Sequence, residues 1–129
     1  MDMIAEMIRK SGLDFLKNIE FEEMGKGRFF QKEKIYLGKG LRQFYVILGP
    51  NVESPIHNHQ GENMDEIHLL LYGSGKFVIY GDIERVIELE IGKFHPIFST
   101  QTSTPNHKYI AGSDGSICLA LERHYEVSE

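Results

Sequence analysis

The side chains best suited to chemistry stand in one stretch, HNHQGENMDEIHLLLYGSG, residues 57–75. His57 and His59 are two residues apart, so on an extended backbone both leave the same face, separated by roughly 7 Å. They can converge on one ion, because neutral imidazole binds first-row divalent metals at about 2.0–2.1 Å and a neighbouring strand can add a carboxylate at a similar distance. Three acids compete for that place. Glu62 and Asp65 belong to the loop-like QGENMD, whereas Glu66 opens the apolar run EIHLLLYG and is held at a strand start. Glu66 is therefore the expected carboxylate. His107, in TPNHKYIAG, follows a proline and begins another short strand, leaving one more imidazole at a strand end.

Period 2 along the run puts Glu66, His68, Leu70 and Tyr72 on one face and Ile67, Leu69 and Leu71 on the other. If Glu66 points into a cavity, so does His68. A face that is polar at one end and apolar further along suits a cavity with a wet mouth and a dry floor. His68 is accordingly the first candidate for proton transfer near neutral pH, with a purely orienting hydrogen-bond role as the alternative. Tyr45 and Tyr109 are weaker candidates, and His95 and His124 are read as structural.

These residues must be positioned by strands. From residue 27 onward, β-branched and aromatic segments recur between glycine-rich turns such as LGKG, YGSGK and AGSDGS, which predicts strands at 28–37, 41–48, 55–59, 66–72, 76–80, 84–91, 94–99, 107–111 and 116–124. Such spacing suggests an all-β barrel or sandwich. Helical periodicity is confined to residues 2–18, where Ile4, Met7 and Ile8 precede Leu13, Phe15 and Leu16 across Ser11 and Gly12. Two short helices are expected, the second capped by Ser11 and Asp14. Residues 1–26 are read as a helical segment packing on the barrel or forming a dimer contact, and residues 27–129 as the barrel. The apolar stripe of Ile4, Met7, Ile8 and Phe15, together with exposed sheet edges, leads to the expectation of a homodimer.

Composition narrows the function classes. The 129 residues fit one domain, with 41% hydrophobic and 26% charged residues, near ordinary soluble averages. A net charge of -5 and no Lys/Arg run longer than two disfavour nucleic acid and anionic membranes as partners. The single cysteine, Cys118, lies in the apolar run ICLAL and reads as a buried core residue. The first residues, MDMIAEMIRKSG, have neither the basic start nor the apolar segment of a signal peptide, so a cytoplasmic protein is expected.

The pattern resembles the cupin superfamily, whose first motif runs from a glycine through H-x-H and a glutamate to a second glycine. Here it stands as Gly49, His57, His59, Glu66 and Gly73, with six residues between Glu66 and Gly73. A looser second motif is represented by Gly92, Pro105 and His107. The loops between Gly49 and His57, between His59 and Glu66, and between Gly92 and Pro105 are longer than in the family's pattern. The resemblance covers roughly residues 40–124. It implies a double-stranded β-helix, or jelly-roll, barrel and pairing of two chains through their sheets. It also implies four metal ligands, His57, His59, Glu66 and His107, of which spacing alone already points to the first three.

Three imidazoles and a carboxylate leave two open positions in an octahedral shell for a small chelating ligand. Zinc, iron, manganese, nickel and copper all accept this donor set, so one divalent transition metal is expected without its identity. Such an ion can polarise a carbonyl, stabilise an enediolate or activate dioxygen. Two functions follow: a small metal-dependent isomerase, lyase or dioxygenase acting on a hydroxylated or carboxylated metabolite, or a non-catalytic cupin that binds a sugar or other effector. The absence of an attached helix-turn-helix output module favours the enzyme.

Overall fold

The computed structural model describes residues 2–58, 64–100 and 106–125, with residues 98–100 described by backbone alone. The N-terminal helix α1, Met3–Ser11, begins where Asp2 accepts a hydrogen bond from the Ile4 N–H at 3.0 Å. It ends at Gly12, whose positive φ of 73° lets its N–H reach back to the Ile8 and Arg9 carbonyls. The second expected helix is instead a 3₁₀ turn, Asp14–Asn18, with no side-chain cap. Ser11 serves the first helix rather than the second: its hydroxyl donates to the Ile8 carbonyl at 2.7 Å and accepts the Leu13 N–H at 3.1 Å.

Strands follow in the order β1 (Phe21–Glu23), β2 (Arg28–Gln31), β3 (Ile35–Gly38), β4 (Leu41–Leu48), β5 (Met64–Tyr80), β6 (Arg85–Glu88), β7 (Phe94–Thr100) and β8 (Asn106–His124). All their pairings are antiparallel, in the order β1-β2-β4-β8-β5-β6, with β3 on β4 and β7 on β5. Residues before 27 thus contribute a strand as well as helix. The expected strand at 28–37 is broken into β2 and β3, and the one at 84–91 shortens to β6. At 55–59 only an isolated bridge between His57 and His107 forms among the described residues.

The largest departure from the expected elements is continuity. Segments 66–72 and 76–80 are one strand, β5, and segments 107–111 and 116–124 are one strand, β8; the two pair with each other along both halves. The register shifts between Leu70 and Tyr72 and between Gly73 and Gly75. These bulges bend the ribbon so that each long strand serves two layers. Gly73 and Gly115 meet at the bend with φ of 82° and 77°, and a Cβ on Gly73 would lie 2.0 Å from the Gly115 carbonyl oxygen. Only glycine fits so close a backbone approach.

Between the layers lies the barrel core, where Phe44, Val46 and Leu48 of β4 meet Leu70, Phe77 and Tyr109. The opposite face of the first layer carries Ile47 and Ile117, both fully buried under Met7, Ile8 and Leu16. The helical stripe is therefore covered by the chain's own sheet, and Ile4 packs there too; only Phe15 stays half exposed, its ring 5.5 Å from that of Tyr45. Burial of Met7 and Ile8 needs no second chain. No helix among the described residues is long and apolar enough to cross a membrane.

Candidate metal and ligand site

The barrel encloses a cavity of about 130 Å³ whose walls include His57, Glu66, His68, His107 and Glu122. Each side chain is placed by the ladder. His57 and His107 exchange both backbone hydrogen bonds, at 3.0 and 2.9 Å, which sets their rings edge to face with centroids 4.4 Å apart. The His57 Nδ1–H donates to the Pro55 carbonyl at 2.8 Å. That bond puts the ring proton on Nδ1 and the lone pair on Nε2. His107 is buried.

On β5, Met64, Glu66, His68 and Leu70 point inward as alternation requires, and all four are buried. Tyr72 does not continue the series: the bulge after Leu70 turns it to the outer cluster beneath the helix. Asp65 faces away from the cavity and accepts a hydrogen bond from the Tyr125 hydroxyl. Of the acids weighed from the sequence, Glu66 is the one on the cavity wall, whereas Glu62 lies outside the described residues. His59 does as well.

His68 Nε2 stands 3.3 Å from Glu66 Oε1, off the line a hydrogen bond requires, and among the described residues this nitrogen has no hydrogen-bond partner. Burial opposes charge on this imidazole, but the Glu66 carboxylate and the Cys118 thiol beside it prevail, and its pKa is pushed up to about 10. Its ring packs edge-on against Phe77 at 4.7 Å. Tyr109 lines the same cavity, its hydroxyl 3.7 Å from the Cys118 sulfur and its acidity weakened, first by burial and then by that neighbour. Tyr45 is excluded from the site, since its ring sits on the outer face against Phe15.

One acid escaped the sequence reading. Glu122 is the direct cross-strand partner of Glu66 and equally buried. Two carboxylates side by side repel unless each has a cation. Glu66 has His68. Glu122 Oε1 accepts Nε and Nη2 of Arg42, both at 2.7 Å, and lies 3.3 Å from His124 Nε2. Arg42 and Glu122 are far apart in sequence, and only the pairing of β4 with β8 joins them. His124 thus supports Glu122, while His95 accepts the Glu90 N–H at 3.1 Å on the turn before β7.

Two imidazoles and Glu66 thus share one cavity with His68. Among the described residues, no three His, Cys, Asp or Glu side chains close into a cluster that could hold a metal ion.

Comparison with known proteins places the architecture. No protein-family model and no curated protein matches the chain. Among solved structures it is similar to a variant of Bacillus subtilis oxalate decarboxylase, with a TM-score of 0.67 and 16% identity over 88% of this chain and 29% of that one. It is also similar to an RmlC-like cupin from Shewanella frigidimarina, with a TM-score of 0.61 and 15% identity over 83% of this chain and 85% of that one. The chain spans about 30% of the length of the oxalate decarboxylase chains it matches. The fold is that of a cupin barrel, as the motif resemblance implied.

Proposed function

We propose that the chain is a metal-binding cupin that acts as a small metal-dependent enzyme, an isomerase, lyase or dioxygenase, on a hydroxylated or carboxylated metabolite. The observation that carries this reading is the pairing of His57 with His107 on a cavity wall, with His57 Nδ1 tied to the Pro55 carbonyl so that Nε2 is the nitrogen with a lone pair to offer an ion. Imidazole and carboxylate are donor types that suit a divalent transition ion: His57, His107 and Glu66 line the cavity without closing into a cluster, and in this reading His59, two residues beyond His57, would add the third imidazole. Bound there, such an ion supplies Lewis acidity toward a carbonyl or carboxylate oxygen.

The chain's own residues supply the rest. His68 holds a proton beside Glu66; once the Glu66 charge is engaged elsewhere, His68 loses the neighbour that retains that proton and returns toward the range where imidazole exchanges it. Glu122, fixed by Arg42, keeps a second carboxylate at the same end of the cavity. Phe44, Val46 and Phe77 keep the space apolar, which strengthens every charge interaction inside it.

A turnover screen of hydroxy acids, oxo acids and sugars tests the reading on metal-loaded and chelator-treated protein. Metal-dependent turnover is expected, falling about a hundredfold or more in His68→Gln while metal content is unchanged. A ligand that raises the melting temperature saturably with no turnover in any screen would instead support a non-catalytic binding role.

A further inference from the structure

The cavity has a second polar end that the metal reading does not use. Arg28, Leu48 and Ser116 are register partners on β2, β4 and β8, so they form one row across the first layer, and all three line the cavity. Glu122 is six residues further along β8 than Ser116, a separation of roughly 20 Å between backbone positions at the usual strand rise. Between the two rows the wall is apolar, with Phe30, Phe44 and Val46.

Arg28 is held in place but not neutralised. Its Nη1 donates to the Met24 carbonyl at 3.0 Å, and its guanidinium carbon sits 5.4 Å from the Phe30 ring centroid. Among the described residues its buried Nε has no hydrogen-bond partner, and neither has the buried Ser116 hydroxyl. Among the described residues no carboxylate pairs with Arg28. A buried guanidinium donor without an acceptor costs free energy unless a ligand supplies one. The Nε edge is the one a planar carboxylate takes side-on with two parallel hydrogen bonds.

We infer that this end of the cavity is a carboxylate subsite, with Arg28 as its anchor and Ser116 as a further donor, for a small organic acid whose apolar or aromatic body lies along Phe30, Phe44 and Val46. A cavity of about 130 Å³ is close to the size that takes up a benzene ring, so the body is of that order. The inference rests on the reading of the cavity as a ligand site and not on the presence of a metal.

Calorimetry with benzoate and phenylacetate, set against benzamide, phenylacetamide, acetate and inorganic phosphate, tests it on the full chain, both metal-loaded and chelator-treated. The aromatic acids are expected to bind at least tenfold more tightly than their amides and than acetate. Arg28→Gln should erase that preference, and Arg28→Lys, which keeps the charge and loses the fork, should retain part of it; both should keep wild-type metal content. If Arg28→Gln keeps the preference for the acids, if the wild-type chain shows none, or if phosphate binds more tightly than benzoate, the subsite is wrong. An Arg28-dependent preference in protein that holds no metal would uphold it while the metal reading fails. Stoichiometric metal with no preference for the acids would sink the subsite alone.

Discussion

Glu122 and Arg42 show how a buried charge is tolerated beside a reactive centre. The carboxylate is almost inaccessible, and its two hydrogen bonds from Arg42 are short and come from one planar group, so removing that group strands a charge in the barrel. Arg42→Met is expected to destabilise the protein by about 3 kcal/mol, measured by urea denaturation. The double variant Arg42→Met with Glu122→Leu should recover much of that loss, and a single variant as stable as the parent would show that the pair is not needed. At this scale the sequence was partly legible. Glu66 and His68 were readable because period 2 and a strand start are local signals, and the structure buries both on the cavity wall. Glu122 and Arg28 were not, because each acquires its place through strand pairings that the local sequence does not announce. Tyr72 was misplaced by one bulge, which leaves no mark on the apolar pattern.

At the scale of elements, the site depends on β5 and β8 running through both layers, since Glu66 and His68 lie before the bend in β5, while His107 and Tyr109 lie before the bend in β8. In the sequence the glycines of YGSGK and AGSDGS suggest turns between separate strands; in the structure they are bends within the continuous β5 and β8. Gly73→Ala would place a methyl against the Gly115 carbonyl as well as force a left-handed backbone, and is expected to cost at least about 2 kcal/mol. Gly92→Ala shares a positive φ of 81° but meets nothing within 4 Å, so it should cost less, about 1 kcal/mol. Equal melting temperatures for the two would remove the bend from the account. The helical cover was legible through its stripe, and its partner was not. Leu16, fully buried in the 3₁₀ turn, secures it over Ile47 and Ile117. Leu16→Ala should lower stability by about 2–5 kcal/mol by chemical denaturation. A loss below about 1 kcal/mol would mean that the cover is dispensable.

For the whole molecule, the barrel holds a cavity in which apolar side chains separate polar groups that stand at particular rows of the ladder, and its fold was readable because strand spacing and the motif agreed. Of the four ligands the motif implied, His57, His107 and Glu66 line one cavity, and His59 lies outside the described residues. The central claim is that this cavity binds one divalent transition ion through those side chains. The direct measurement is elemental analysis of the chain purified without added metal and dialysed against a competing chelator of known affinity, alongside Glu66→Gln and the double variant His57→Ala with His107→Ala. One equivalent of metal is expected in the wild-type chain, a reduced content in Glu66→Gln and none in the double variant, with all three folded by circular dichroism. Wild-type stoichiometry in the double variant, or a wild-type chain that takes up no transition metal even when supplied, would contradict the account.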